Sequence, residues 1–391
     1  MSTVTEVNPR LLALTEAGVS VWLDQIRRTL VQSGELSRMV VEDCLRGVTS
    51  NPSIFEQAIL GSTDYDEDLV SLARRQLDAV EIYEYLAMRD VQLAADALAA
   101  VHRESHGRDG FVSLEVSPRV THDTEGTLAE ARAYWQQLDR PNVMIKIPAT
   151  LEGIRATEQA LYDGINVNVT LLFAVSAYER VAEAYLRALE RRLEAGLPLD
   201  VSSVASFFVS RVDTHVDRKL AELGREDLRG HAAIANARAA YRRFTEIFDG
   251  PRWAALRHAG AAVQRPLWAS TSTKDPSYPD TMYVDELVGT HAVNTMPMQT
   301  LLAVADHGRV RGPTAERDPT PVLTELSKAG VDLGQVTDEL LVDGVNQFEE
   351  AFRRLLGGIE QQRAAATTPR PPTTRATWPS DAHAQVVERA R

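Results

Sequence analysis

The run Asn142-Val143-Met144-Ile145-Lys146-Ile147-Pro148-Ala149-Thr150 sets one lysine in an apolar stretch. Side chains alternate along a strand, so Val143, Ile145 and Ile147 share one face while Met144 and Lys146 share the other. Desolvating an ammonium is costly, and lysines held in such places are often amine nucleophiles. A lone lysine at a strand end is more often a solvated terminus. What changes the balance is that other short apolar runs also close on polar residues: Asp24, Asn51, Glu115, Asn168 with Thr170, Ser206 with Phe208, Ser270 and Asn294. An amine that attacks a ketone becomes an iminium, which draws electrons from the adjacent carbon-carbon bond and lets it break. Carboxylates must move protons while this happens, and Asp24 and Glu115 are on different runs, so they can act from different sides. Asn51, Asn168 and Thr170 can hold hydroxyls or a water. Arg211, Ser270, Ser272 and Lys274 read as a phosphate clamp, although Arg211 also has Asp213 two positions on as an alternative partner.

The elements that carry these residues alternate between strand and helix. A helix from Asn8 to Ala17 stops at Gly18, and Val19 to Asp24 alternates as the first strand. A helix from Gly34 to Leu45 leads to a second strand that starts at Gly47 and closes on Asn51. Asp64 to His106 reads as two helices. Phe111 to Val116 is the third strand, with Ser113 and Glu115 on one face, and Pro118 ends it. The lysine strand is the fourth, and Thr150 can cap the helix after it. Ile165 to Thr170 is the fifth, Val204 to Val209 the sixth, Leu267 to Ser272 the seventh and His291 to Asn294 the eighth. Asp213 to Val263 reads as two or three helices. Pro319 to Leu356 reads as helices packed on the outside.

Such alternation implies parallel β/α units, and eight of them make a closed (β/α)8 TIM barrel of typically about 250 residues. That leaves room in 391 residues for extra helices and a C-terminal helical extension. The expected organisation is a single barrel domain over 1–363, with a disordered tail rich in Thr, Pro, Arg and Ala over 364–391. An open doubly wound sheet would call for a Gly-rich phosphate loop after the first strand, and none is present.

Composition narrows the partners. A net charge of −13 argues against nucleic acid and anionic membrane surfaces, which need a basic field. Cys44 is the only cysteine, so there is no internal disulfide, which fits a reducing cytoplasmic setting. No signal-peptide pattern opens the chain, and no apolar run is long enough to span a bilayer. The sequence sets no oligomeric state.

Five segments carry a family resemblance: Gly47 to Ser53, Val143 to Pro148, Gly164 to Phe173, Ser206 to Asp213 and Ala292 to Pro297. In order and in register from about Val19 to Pro297, they resemble the signature segments of transaldolase. The resemblance implies a Schiff-base (β/α)8 enzyme without a cofactor, working on small-molecule sugar phosphates of the pentose phosphate pathway. Such enzymes move a dihydroxyacetone unit from sedoheptulose 7-phosphate to glyceraldehyde 3-phosphate, giving erythrose 4-phosphate and fructose 6-phosphate. By position it implies Lys146 as the Schiff-base lysine and Glu115 as the acid/base acting through a water that Thr170 helps hold. Asp24 would take the proton as the bond breaks. Asn51 and Asn168 would bind substrate hydroxyls, Ser206 the donor unit, and Arg211 and Ser270 the phosphate. Phe208 matches the family phenylalanine that favours transfer over cleavage. The departure is at Ser272, where shorter members carry a second phosphate-binding arginine, with Lys274 the nearby cation.

Two other activities fit parts of the chain. One is a fructose 6-phosphate aldolase, a lyase with the same chemistry. The other is a metal-dependent barrel enzyme using His102 and His106 one helical turn apart; the same pair also reads as the solvated end of a helix that Gly107 stops.

Overall fold

The computed structural model describes residues 7–367. Eight parallel strands form a closed barrel in sequence order, with the first pairing to the last. They are β1 (Ser20–Leu23), β2 (Leu45–Val48), β3 (Phe111–Glu115), β4 (Val143–Pro148), β5 (Val167–Leu172), β6 (Ser203–Phe208), β7 (Arg265–Ala269) and β8 (Val293–Met296). The expected (β/α)8 barrel is therefore the fold. Helices separate the strands and cover their outward apolar faces, as parallel strands require.

Local signals set the helix ends as the sequence implies. The Asn8 side chain accepts from the amides of Arg10 and Leu11 to start the helix Pro9–Glu16, and Thr150 accepts from Gly153 to start Leu151–Tyr162. Gly18, at φ +90°, turns the chain into β1. The stretch read as two helices is Asp66–Arg74 and Ala79–Glu104, and the latter opens with a capping box from Asp78 and Glu81.

The barrel interior is stacked in layers. At the base Arg265 binds Asp109, whose carboxylate also accepts from Ser20 and Trp22. Above it the rings of Trp22 and Phe111 lie 6.4 Å apart. Gly47 faces them on β2, and a Cβ there would sit 2.4 Å from the indole. The next layer is polar: Asn168 donates to Ser113 at 3.0 Å and accepts from Ser206 at 2.6 Å. Contacts between alternate strands of this kind, here β3 to β5, are how a barrel of this size fills its centre.

Three expectations need correction. β2 ends at Val48 rather than Asn51, and Asn51 caps a further helix, Pro52–Leu60, by accepting from the Ile54 amide at 3.0 Å. Pro after an N-cap residue is a helix start as readily as a turn. β8 begins two residues later than expected, and its inward face is that of Val293 and Thr295, not that of Asn294, which accepts from Thr271 on the other side. Choosing the other face of the alternation is equivalent to a one-residue slip and exchanges every side chain between the interior and the helix layer.

The third correction concerns the helices after the barrel. The helix Leu333–Thr367 is not an outer layer but a strap across the barrel mouth. Its 35 residues are about 50 Å long. Near its start Glu339 pairs with His215 at 3.0 Å, and further on Arg354 grips Glu56 through two bonds of 2.7 and 3.0 Å. Between them Gly344 lies so close to Leu171 that a Cβ would meet its side chain at 3.0 Å. The helix also takes in Ala364 to Thr367, which were expected in the tail. The rest of that expected tail, 368–391, lies outside the described residues. Among those described, no helix is long and apolar enough to cross a membrane.

Candidate active site

β4 delivers the lysine where its alternation points it. Lys146 is 4% exposed, and its Nζ donates to the Ser50 carbonyl at 2.9 Å. The Glu115 carboxylate comes from the neighbouring strand, directly opposite in the β3–β4 ladder, and brings Oε2 to 3.3 Å from Nζ. Neither oxygen of Glu115 has a hydrogen-bond donor well enough aligned to satisfy it. Burial pushes the Glu115 carboxyl up to about 7, against the pull of Lys146, and the nearby Asp24 charge adds to the rise. A carboxyl in that range can both give and take protons near neutrality.

Asp24, one residue past the end of β1, is also pushed up by burial, with Lys146, the Thr49 hydrogen bond, Arg211 and Lys274 opposing. Thr49 donates to Asp24 at 2.6 Å and lies 2.6 Å from the Thr295 hydroxyl. With its one hydrogen directed at the carboxylate, Thr49 must accept from Thr295. Thr49 thus holds the Asp24 carboxylate, and Thr295 holds Thr49.

Asp24 and Lys146 open on a cavity of about 140 Å³ that is also lined by Asn51, Thr170, Ser206, Phe208, Arg211, Ser270, Ser272 and Lys274, while Glu115 stays out of the lining and touches it through Lys146. Ten sequence candidates thus share one wall system at the C-terminal ends of the strands. Thr170 lines it with a buried hydroxyl that has no protein partner. Asn51 spends its carbonyl on the helix cap. Asn168 does not reach the cavity; fully buried, it lies between Ser206, from which it accepts, and Ser113, to which it donates. Removing one partner from that chain would strand another without water, at about 1–3 kcal/mol. Ser270 sits at φ +56°, which breaks the alternation of β7 and lets Ser270 rather than Thr271 face the cavity.

The cationic side of the cavity comes from Arg211 in the first turn of the helix Ser210–Glu222 and from Lys274 in the loop after β7. Arg211 does not pair with Asp213, which instead accepts from the Ala233 amide at 2.7 Å and the Tyr283 hydroxyl at 2.9 Å. The Arg211 guanidinium lies over the Phe208 ring at 5.3 Å, and its buried Nη1 has no partner. Lys274 donates to Ser272 at 2.7 Å. Burial and the Arg211 charge both push the Lys274 ammonium down. Two cations with spare donors on one cavity wall suit a doubly charged oxyanion.

Sequence reading missed Thr49, Thr295 and Phe348. Thr49 shares its face with Gly47 and Asn51, so alternation could have found it. Thr295 was lost because the other face of β8 was taken to point inward. Phe348 has no local signal: it is one apolar residue among many on the strap helix, and only the tertiary fold brings its ring to 5.8 Å from Lys146 Nζ.

The metal alternative fares differently. The helix Ala79–Glu104 ends before His106, whose φ is +53°, so the two histidines do not share a helical face. His102 packs edge-on against Phe111, near the start of β3 and away from the lysine. Among the described residues no group of three His, Cys, Asp or Glu is placed to hold a metal.

The family described as Transaldolase/Fructose-6-phosphate aldolase matches residues 21–359. A protein named Transaldolase from Parafrankia sp. is 50% identical over 362 residues, covering 91% of this chain and 98% of that relative. Another of that name from Acidothermus cellulolyticus is 50% identical over 355 residues, covering 89% and 95%. A third from Thermobifida fusca is 48% identical over 364 residues, covering 91% and 99%.

Proposed function

The chain belongs to the transaldolase/fructose-6-phosphate aldolase family, and on that footing we propose that it is a transaldolase. It moves a dihydroxyacetone unit from sedoheptulose 7-phosphate to glyceraldehyde 3-phosphate, releasing erythrose 4-phosphate and fructose 6-phosphate. Residues 1–363 are taken as one catalytic domain. Phosphorylated sugars as substrates and a chain with a single cysteine suit a cytoplasmic enzyme.

In this reading the Lys146 amine adds to the ketose carbonyl, and Glu115 is the group placed to receive the proton the amine must shed. Glu115 then protonates the departing hydroxyl of the carbinolamine, so that water leaves and an iminium forms. Asp24 takes the proton of the hydroxyl on the far carbon of the bond that breaks, the carbon that becomes the aldehyde. The aldose departs as an aldehyde, and the bonding pair moves into the iminium to give an enamine. The acceptor aldehyde is attacked by that carbon, Asp24 returns its proton, and water hydrolyses the new iminium. Thr170 offers a free buried hydroxyl to orient that water beside Glu115. Ser206, held by Asn168, and Asn51 bind donor hydroxyls. Asn168 contributes by positioning Ser206.

Arg211, Ser270 and Lys274 take the phosphate, with Ser272 steering Lys274. Phe208 favours transfer over the lyase reaction, because it offers a ring and no hydroxyl to the cavity.

The single observation that carries the proposal is a buried lysine amine 3.3 Å from a carboxyl poised near neutrality. Borohydride reduction in the presence of fructose 6-phosphate should fix a three-carbon adduct on Lys146, located by peptide mass mapping. Lys146→Ala should take no label and lose turnover while keeping its circular dichroism spectrum. Label on another residue, or transfer surviving in the variant, removes Lys146 from the nucleophile role.

A further inference from the structure

One cavity wall, the ring of Phe348, comes from the strap helix rather than from the barrel strands and the segments that leave them. It comes from the middle of the strap helix, on the face that also buries Val345, Ala351, Phe352 and Leu355. The strap is held firmly on both sides of this point. Towards its start are the Glu339–His215 pair and the close seat of Gly344 on Leu171. Beyond it Phe352 packs edge-on to Tyr83 at 5.2 Å, and Arg354 grips Glu56. A ring fixed by neighbours on both sides is a wall, not a passing side chain.

We infer that Phe348 is a specificity-determining residue: placed over the Lys146 nitrogen, it keeps proton-donating water away from the bound three-carbon unit, so that the unit leaves to an aldehyde. The inference rests on the Schiff-base reading above and extends it. After the aldose departs, the enamine on Lys146 has two fates. Attack on an aldehyde carbon forms a new carbon-carbon bond and completes transfer. Protonation of the enamine carbon by water instead gives an iminium and a hydroxide; addition of that hydroxide to the C=N carbon gives a carbinolamine, which collapses to free dihydroxyacetone and the Lys146 amine. The partition between these fates depends on a proton donor reaching the enamine carbon. Phe208 and Phe348 both line a cavity of only about 140 Å³, and neither ring can donate such a proton. Truncating Phe348 opens room beside Nζ for water.

The test uses the full chain with fructose 6-phosphate as donor. Free dihydroxyacetone is measured without acceptor, and sedoheptulose 7-phosphate is measured with erythrose 4-phosphate present. Phe348→Ala should raise the ratio of release to transfer on the order of tenfold, a change of about one decade in relative barrier-crossing rates. Phe348→Leu, which refills the space without a donor, should stay close to the parent ratio. If Phe348→Ala does not give the parent circular dichroism spectrum, Phe348→Val is read in the same way. Release and transfer falling in parallel, with the ratio unchanged, would overturn the inference. Borohydride labelling of the parent protein keeps the two ideas apart: a labelled Lys146 with an unchanged ratio sinks the role of Phe348 alone, whereas an unlabelled Lys146 sinks the Schiff-base reading with it.

Discussion

Glu115 and Lys146 stand opposite one another in the β3–β4 ladder, so the 3.3 Å between carboxylate and amine is set by backbone pairing rather than by loop conformation. A strand pair in a closed barrel cannot slip without moving its neighbours, and the spacing is therefore among the best fixed in the molecule. Its consequence is a pH dependence. The ionised carboxylate is needed to accept the amine proton, so kcat/KM should rise with pH through an inflection near 7, the position to which burial pushes Glu115. Glu115→Gln should lower kcat by on the order of a hundredfold or more and abolish that inflection. An altered KM with kcat and the pH profile intact would take the acid/base role from Glu115.

Lys274 tests the phosphate clamp. Its ammonium sits in a wall shared with Arg211, and it reaches only Ser272 among the described residues. Lys274→Ala should raise KM for phosphorylated substrates about tenfold while changing kcat little, the pattern of a lost ground-state contact. Initial-rate kinetics with fructose 6-phosphate and with unphosphorylated fructose decide it. Loss of the preference without a change for the free sugar is the expected outcome.

Asp213 has a stability role that pH should reveal. Burial pushes its carboxyl up to about 7 from the ordinary 3.8, against the hydrogen bonds from Ala233 and Tyr283. Between those two values the folded chain binds more protons at this site than the unfolded chain. Stability therefore falls as pH rises through that window and levels off above 7. From pH 5 to pH 8 the loss should be on the order of 2 kcal/mol. Asp213→Asn keeps an acceptor for the Ala233 amide and has no charge to bury, so its stability should decline less over the same range. Urea unfolding at both pH values gives the comparison, and parallel declines would refute it.

Gly47 tests the layer beneath the site. A methyl group there would fall 2.4 Å from the Trp22 indole, inside a closed ring of strands that has little freedom to yield. Gly47→Ala should cost about 1–3 kcal/mol, typical of overpacking. Lowered thermal stability with kcat retained under permissive conditions is expected. No loss would mean that Trp22 can turn aside.

Most of the barrel could be read from alternation, because strands covered by helices outside and filled by side chains inside carry a period of two with few exceptions. Val143 to Ile147 is the plainest case, and it put Lys146 on the correct face. Where reading failed, backbone conformation or distant chain had the decisive say. Asn51 looked like a strand end because Asn-Pro serves turns and helix caps alike, and only the Ile54 amide bond separates the two. Asn294 was assigned one face out because the short run His291 to Asn294 has apolar residues on both faces, and its polar end residue was taken to point inward. Ser270 reaches the cavity through a left-handed residue that no apolar pattern announces. Phe348 was beyond reach, since its place depends on which way a long amphipathic helix lies across the molecule.

The seam between β1 and β8 joins the earliest strand to the latest, so the ring cannot close until the chain has been made past Met296. The strap follows later still. A partly synthesised chain would thus hold its amine nucleophile uncovered among cellular aldehydes and ketones, and the last stretch of translation acts as the cap on a reactive vessel.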